Sequence, residues 1–181
     1  VATPEASYTP YTVTMAGDGS NIELKNVLVG EVWFCSGQSN MEMPLKGFWC
    51  QPTENGGRAI AYSGKYPGIR MANINRCGNY ELQDRVAGKW LESKPANAAE
   101  FSAVAFFFAR SLTEILDVPV GIINCSLGGS KVEGWMPKWK LDEYPDRDVE
   151  KEKATPDSVL QLWERINVMY NAMLHPLAGY T

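Results

Sequence analysis

The chain has 181 residues, of which 45% are hydrophobic and 21% are charged. This balance is typical of a folded globular protein, and the length suffices for one domain with its own core. The formal net charge is −4 and the basic residues form no cluster, which argues against nucleic-acid binding as the main activity. No apolar run approaches the roughly 18 residues that a membrane-spanning helix needs, so no membrane partner is expected.

Metal and disulfide sites have few candidate ligands. His175 is the one histidine and the four cysteines contain no Cys-x-x-Cys pair, so a zinc site of the usual kinds is not expected. Cys35 and Cys125 fall in predicted buried strands, where a free thiol behaves as a small hydrophobic group. Cys50 and Cys77 fall in irregular segments and could form a disulfide if the protein is exported.

The first predicted elements are two strands joined by a turn. Residues 11–15 are rich in β-forming side chains, and residues 22–27 alternate between apolar and polar types. Residues 17–21 between them consist of turn-forming Gly, Asp, Ser and Asn. The pattern predicts a β-hairpin over residues 8–29.

A buried strand over residues 32–35 leads directly into Ser-Gly-Gln-Ser-Asn at residues 36–40. A serine at such a turn can lie exposed at the carboxyl end of its strand, where open α/β sheets bind their ligands. The run Gly-Gln-Ser-Asn-Met, preceded by Glu-Val-Trp-x-Cys-Ser, resembles the nucleophile block of the sialate O-acetylesterase family, which consists of SGNH-type carbohydrate esterases. The resemblance implies that Ser39 is the nucleophile. Gln38 and Asn40, on either side of it, are predicted to contact the substrate.

The middle of the chain is predicted to contain a long loop, a strand and a helix. The loop runs from the Ser39 turn to about residue 66 and is rich in Gly, Pro, Asn and Gln, which indicates a functional or disordered segment. Residues 68–73 form the strand. Residues 98–116 form the helix, with Asn97 and Glu100 as a capping-box-like start. Its apolar face comprises Phe101, Val104, Ala105, Phe108, Leu112, Ile115 and Leu116.

A second buried strand, over residues 120–125, is followed by Leu-Gly-Gly-Ser at residues 127–130. Taken alone, Gly-Gly-Ser after a strand is weak evidence, because many such turns are plain connections. Together with the strand before it and the Glu-Gly-Trp after it, the turn resembles the second block of the same family. In that block a glycine of the pair donates its N–H to the oxyanion. We favour Gly129 for this role, with Gly128 as the alternative.

The remainder of the chain carries fewer candidate site residues. Glu133 and Trp135 either border the sugar pocket or have a structural role, and both alternatives stay open. Residues 140–157 are densely charged, which predicts an exposed surface segment. Apolar residues at helical spacing then predict a helix over residues 156–174.

The succession of helix, strand and helix with short connections predicts an α/β fold with a parallel sheet. The resemblance implies more, namely the three-layer SGNH-hydrolase (flavodoxin-like) sheet, incomplete in this chain and preceded by a short β segment. Residues 1–29 are expected to be the tail of a preceding β-rich region. Residues 30–181 are expected to be the N-terminal part of an SGNH-type esterase domain.

The catalytic base is the missing component. His175 is placed in the last turn of a predicted helix before Pro176, where its charge complements the helix dipole, and this ordinary role is favoured over a catalytic one. In the resembling family, a third block near Gly-Glu-Ser-Asn and an acid–histidine block follow further along the chain, and neither occurs here. The Asn and Asp/His groups are therefore expected from a second polypeptide or a missing C-terminal segment, unless the chain has lost catalysis.

The function that the resemblance implies is that of a serine esterase removing O-acetyl groups from sugars, sialates or polysaccharides. It implies no metal or organic cofactor, and it suggests a secreted, periplasmic or lysosomal location. The alternative is a non-catalytic carbohydrate-binding or scaffolding subunit of a larger assembly. Nucleotide binding has little support, because neither Gly-x-Gly-x-x-Gly nor Gly-Lys-Ser/Thr occurs.

Overall fold

The computed structural model describes residues 3–17 and 19–179, which contain six strands and six α-helices. The strands are β1 (Ser7–Gly17), β2 (Ser20–Val29), β3 (Glu31–Gly37), β4 (Ile69–Ile74), β5 (Gly88–Glu92) and β6 (Val120–Ser126). The α-helices are α1 (Ser39–Glu42), α2 (Gly56–Tyr62), α3 (Pro95–Ala98), α4 (Ala103–Leu116), α5 (Lys138–Leu141) and α6 (Val149–Lys153). Four 3₁₀ turns cover Ser63–Lys65, Val132–Trp135, Leu162–Glu164 and His175–Leu177, and Tyr170–Leu174 form a π-helical turn. Within the described residues, no helix is long and apolar enough to cross a bilayer.

The predicted hairpin is confirmed. β1 and β2 pair in antiparallel fashion and form a two-stranded sheet apart from the main one. Asn26 connects this hairpin to the main sheet, because its side chain donates to Glu92 (Nδ2–Oε1, 2.8 Å) and accepts from Arg70 (3.1 Å). The division of the chain between residues 29 and 30 stays a prediction.

The main sheet has the strand order β3-β6-β4-β5. β3 and β4 both run parallel to β6, whereas β5 runs antiparallel to β4. The sheet is therefore mixed. The predicted α/β fold with parallel strands is confirmed, and the antiparallel β5 is an addition that the sequence analysis did not predict. Residues 75–87, between β4 and β5, contain no helix, and without a crossover helix the chain returns beside β4 in the opposite direction.

The core lies on both faces of this sheet, which confirms a three-layer α/β architecture. Successive residues of β6 point to opposite faces, as expected for a strand. Ile122 packs on one face against Phe106 of α4, and Ile123 packs on the other face among side chains of the C-terminal segment such as Met169 and Met173. The carboxyl ends of β3 and β6 therefore emerge together between two packed layers.

The main helix begins later than the sequence predicts. α4 starts at Ala103 and is capped by Ser102, whose hydroxyl accepts from the Ala105 amide over 3.2 Å. The predicted cap Asn97 instead donates its side-chain amide to the Glu92 carbonyl (2.8 Å). The predicted apolar face is also partly wrong: the buried residues of α4 are Ala103, Ala105, Phe106 and Ala109, whereas Val104, Phe108, Ile115 and Leu116 are exposed.

The predicted helix over residues 156–174 does not form. The segment contains a 3₁₀ turn, an extended Arg165, and Asn167 with a positive φ of 66°, before the π-helical turn. Arg165 is buried, and its guanidinium donates to the Tyr80 hydroxyl (2.7 Å) and to Asp157 (2.7 Å). These contacts pair the buried charge of Arg165. In a continuous helix, the guanidinium would lie elsewhere and would lose these partners.

The loop after α1 is more ordered than its composition predicts. Residues 56–65 form α2 and a 3₁₀ turn, so the prediction of an irregular stretch up to about residue 66 is wrong for its second half. Gly56 allows close packing, since a Cβ atom there would lie 2.0 Å from the Leu45 carbonyl oxygen. The charged segment 140–157 is mostly exposed, as predicted, although Leu141 and Val149 are buried.

Candidate active site

Ser39 lies at the position that the sequence predicts, directly after the end of a strand. The prediction that this strand is buried is wrong, because β3 is an edge strand whose Val32 and Trp33 are exposed. β3 ends at Gly37, and Ser39 is the first residue of the one-turn helix α1. The amides of Glu42 and Met43 close this turn on the carbonyls of Gln38 and Ser39, over 2.9 and 3.0 Å. Ser39 is exposed, and its hydroxyl donates to Oε1 of Gln38 over 3.1 Å.

The structure brings the two sequence blocks together. β6 pairs with β3, and the last pair of that ladder joins Gly37 to Ser126. The amide of Leu127 then donates to the Gly37 carbonyl over 3.1 Å. A Cβ atom built on Gly128 would lie 3.7 Å from the Cα atom of Ser39. The Gly-Gly turn is thus the immediate neighbour of the predicted nucleophile.

The two glycines of this turn differ in their hydrogen bonds. The Gly128 amide donates to the carboxylate of Glu42. The Gly129 amide, like that of Ser39, has no protein acceptor in the part of the chain that the structure describes. Gly129 also has a φ of 76°, which glycine adopts without strain. The N–H groups of Ser39 and Gly129 therefore have no protein acceptor among the described residues, whereas that of Gly128 is occupied, and the oxyanion role of Gly129 stays a prediction.

Gln38 connects the turn after β3 with the turn after β6. Its Oε1 atom accepts the Ser39 hydroxyl, and its Nε2 atom donates to the Ser130 carbonyl over 3.1 Å. Asn40 is exposed next to Ser39. Substrate contact stays a prediction for both side chains, but Gln38 already has an internal role in holding the two turns.

Glu133 and Trp135 make contacts within the protein. The indole of Trp135 donates to the Ser130 hydroxyl (2.9 Å), which in turn donates to the Leu127 carbonyl (2.7 Å). Glu133 pairs with Arg147 (Nη2–Oε1, 3.1 Å). For Trp135 these contacts correspond to the structural alternative, because its indole holds Ser130, the residue that follows the two glycines.

Glu42 was not among the residues that the sequence singled out. Its side chain is only 12% exposed, and its carboxylate accepts the Gly128 amide and forms an ion pair with Arg76 (Oε1–Nη2, 2.5 Å). Glu42 and Arg76 line a cleft of about 460 Å³ at the carboxyl ends of β4 and β6, together with Asn73, Asn124 and Ser126. The one local signal that could have identified Glu42 is its position on the helical turn that Ser39 begins. Its partner Arg76 is distant in sequence and could not have been identified in this way.

The described residues supply no general base at Ser39. The Nδ1 atom of His175 lies 3.1 Å from the Gln83 carbonyl oxygen, and its ring lies beside that of Tyr170, with centroids 6.1 Å apart. The hydroxyl of Ser39 contacts Gln38 instead. The assembled groups are therefore an exposed serine hydroxyl and two backbone amides without a protein acceptor.

The cysteines are free thiols, and the possible Cys50–Cys77 disulfide is not formed in the structure. Cys50 is exposed, whereas the Sγ atom of Cys77 lies 3.8 Å from the Ala172 carbonyl oxygen. Burial, assisted by the nearby Cys77, raises the pKa of the Cys125 thiol to about 12. Across residues 3–17 and 19–179, no group of three His, Cys, Asp or Glu side chains is arranged to hold a metal ion.

Comparison with proteins of known family shows which sequences this chain resembles. No protein-family model matches the chain. The sialate O-acetylesterase of Homo sapiens is 31% identical to it over 168 residues, which cover 88% of this chain. The chain is homologous to the sialate O-acetylesterases. The resemblance inferred from the two sequence blocks is thereby confirmed.

The homology extends to the fold but covers only part of each relative. The chain spans 31% of the length of the human sialate O-acetylesterase and 34% of the mouse one, with which it is 25% identical. The crystal structure of a carbohydrate acetylesterase from Xanthomonas citri matches with a TM-score of 0.79 and 32% identity. That match covers 96% of this chain and 35% of the other. The chain thus corresponds to about one third of a sialate O-acetylesterase.

Proposed function

We propose that this chain is the nucleophile-bearing part of a serine esterase that removes O-acetyl groups from sugars. The observation that carries the proposal is the adjacency of the exposed Ser39 to the Gly-Gly turn, with the amides of Ser39 and Gly129 free. A nucleophile beside backbone donors for the oxyanion is part of the arrangement that acyl transfer requires, and a base must complete it. The names of the homologues, sialate O-acetylesterase and carbohydrate acetylesterase, support an acetylated sugar as the substrate.

In the proposed reaction, Ser39 Oγ attacks the acetyl carbonyl carbon while a base removes the hydroxyl proton. The carbonyl oxygen becomes an oxyanion, which accepts from the N–H groups of Ser39 and Gly129. Each such donor contributes about 3 kcal/mol to lowering the barrier. The sugar hydroxyl then leaves with a proton, and water hydrolyses the acetyl-serine to acetate and free Ser39.

The base and a third oxyanion donor are proposed to come from the remainder of the protein or from a second polypeptide. β3 lies at the edge of the sheet, so its outer side has no strand neighbour in the described residues. Val32 and Trp33 on this strand and Phe108 and Ile115 on α4 are exposed, and Trp33 contacts Phe108 with ring centroids 5.1 Å apart. An unpaired edge beside exposed apolar side chains is typical of a surface that another part of the protein covers.

The test is hydrolysis of an activated acetyl ester by the complete protein that contains this chain, and by its Ser39→Ala variant. We expect the variant to lose at least 10³-fold in kcat and to lose covalent labelling by a fluorophosphonate. Ser36→Ala serves as the matched control, since Ser36 lies in the same run and should keep both. Sugar binding without turnover, unchanged by Ser39→Ala, would instead support the binding-only alternative. The 181-residue chain by itself is expected to be inactive.

A further inference from the structure

Glu42 contacts both the Gly-Gly turn next to the proposed oxyanion site and a positively charged side chain. Its carboxylate accepts the amide of Gly128, and it forms an ion pair with Arg76 at 2.5 Å. The Glu42 side chain is 12% exposed, so these partners take the place of water at its carboxylate. Hydrogen bonds to a charged acceptor are stronger than those between neutral groups, which gives this link more weight than an ordinary turn contact.

The backbone position of Glu42 explains why the contact matters for Ser39. Glu42 belongs to the same single helical turn as Ser39, because its amide closes that turn on the Gln38 carbonyl. The carboxylate reaches from this turn to Gly128, the residue before Gly129. The side chain therefore links the backbone segments that carry the two free amides.

Contacts at its two ends already hold the Gly-Gly turn, since the Ser130 amide donates to the Leu127 carbonyl (3.3 Å) and Gln38 donates to the Ser130 carbonyl (3.1 Å). Between those ends, glycine has the widest range of backbone conformations, and Glu42 is the side chain that binds an amide there. The Glu42 carboxylate also determines which residue fits at position 128, since a Cβ atom there would lie 2.5 Å from its Oε2 atom.

The charge of Glu42 requires compensation. An oxyanion bound at the Gly129 amide would be close to this carboxylate, and two negative charges at short range repel each other. Arg76, on the loop after β4, supplies the opposite charge directly on Glu42. Its side chain is 54% exposed, so we assign it charge neutralisation and not a structural role in the core.

We propose that Glu42 is a positioning residue that fixes the Gly128–Gly129 backbone relative to Ser39, and that Arg76 neutralises it so that the oxyanion is not opposed. This inference rests on the proposed esterase function. It adds two side chains, from α1 and from the loop after β4, to the groups on which turnover depends.

The test uses the complete protein and an activated acetyl ester. Glu42→Ala removes the acceptor, and we expect kcat to fall about 10²-fold because a misdirected oxyanion donor costs this much. KM should stay within about twofold, since the donors act on the transition state. Glu42→Gln keeps an acceptor oxygen and should recover most of the loss. The matched control is Glu114→Gln. Glu114 lies on α4, its carboxylate contacts Arg110 and the Tyr66 hydroxyl, and the substitution should leave kcat unchanged.

Arg76→Ala tests the charge of Glu42 separately from its role in positioning the Gly-Gly turn. In the presence of Glu42 it should lower kcat, and in the Glu42→Gln background it should have no effect, because no charge then remains to neutralise. A kcat for Glu42→Ala within twofold of wild type would overturn the inference, as would equal losses in the Ala and Gln variants. Turnover that depends on Ser39 but not on Glu42 leaves the proposed function intact. Turnover independent of Ser39 overturns both.

Discussion

At the scale of single residues, Cys125 shows how the packing of the sheet controls chemistry. Its side chain is fully buried, and its Sγ atom lies 3.7 Å from the Met173 carbonyl oxygen. Burial raises its pKa from the ordinary 9.0 to about 12, and the neighbouring Cys77 adds to the effect. Burial also raises the pKa of Cys35 and of Cys77. Only the thiolate reacts with disulfide reagents, so these thiols are poorly reactive in the native protein.

We predict that the folded chain at pH 8 reacts rapidly at Cys50 alone, and that all four thiols react in denaturant. Cys50→Ser should abolish the rapid phase, and a rapid phase of more than one thiol would contradict the prediction.

The raised pKa of Cys125 also makes the stability of the fold depend on pH. Because the folded pKa of Cys125 exceeds the unfolded one, the free energy of unfolding should fall as the pH rises from about 9 towards 12. Denaturant titrations at a series of pH values measure it.

At the scale of elements, the start of α4 is set by one hydroxyl. Ser102 caps the helix by accepting the Ala105 amide, and its Oγ atom lies 3.5 Å from the Met41 sulfur. We predict that Ser102→Ala lowers the free energy of unfolding by about 1 kcal/mol, because the cap is lost. Ser111→Ala, an exposed serine within the same helix, is the control and should not destabilise. A Ser102→Ala variant with an unchanged denaturation midpoint would show that the cap is unimportant.

At the scale of the whole molecule, the main sheet has two edge strands among the described residues, β3 and β5. The edge at β3 lies beside the exposed Trp33 and Phe108. We predict that backbone amides of residues 31–37 exchange with solvent more slowly in the complete protein than in this chain alone, because the remainder pairs with or covers β3. Exchange in β5 (Gly88–Glu92) should be the same in both and serves as the internal control. Equal exchange at residues 31–37 would refute the proposed covering of this edge.

The sequence was most informative where a short strand pattern is bounded by turn residues. The strands at Ile69–Ile74 and Val120–Ser126 and the hairpin of β1 and β2 follow from short apolar or alternating runs bounded by turn residues. The exposed Ser39 after β3 follows from the same kind of pattern. The start of α4 and the helix over residues 156–174 were wrongly predicted, because Ser102 and the buried Arg165 are held by contacts that helical periodicity does not encode.

The sequence by itself determined that a strand delivers Ser39, that a second strand delivers Gly128 and Gly129, and that the surrounding blocks resemble one esterase family. These conclusions depend on residues that are close together in the chain. The tertiary structure alone decided that β5 runs antiparallel and that Glu42 binds both Gly128 and Arg76. It also decided that Gly129 keeps a free amide. The pairing of β5 and the contacts of Glu42 join segments that are not adjacent in sequence, and whether an acceptor reaches the Gly129 amide depends on how such segments are placed.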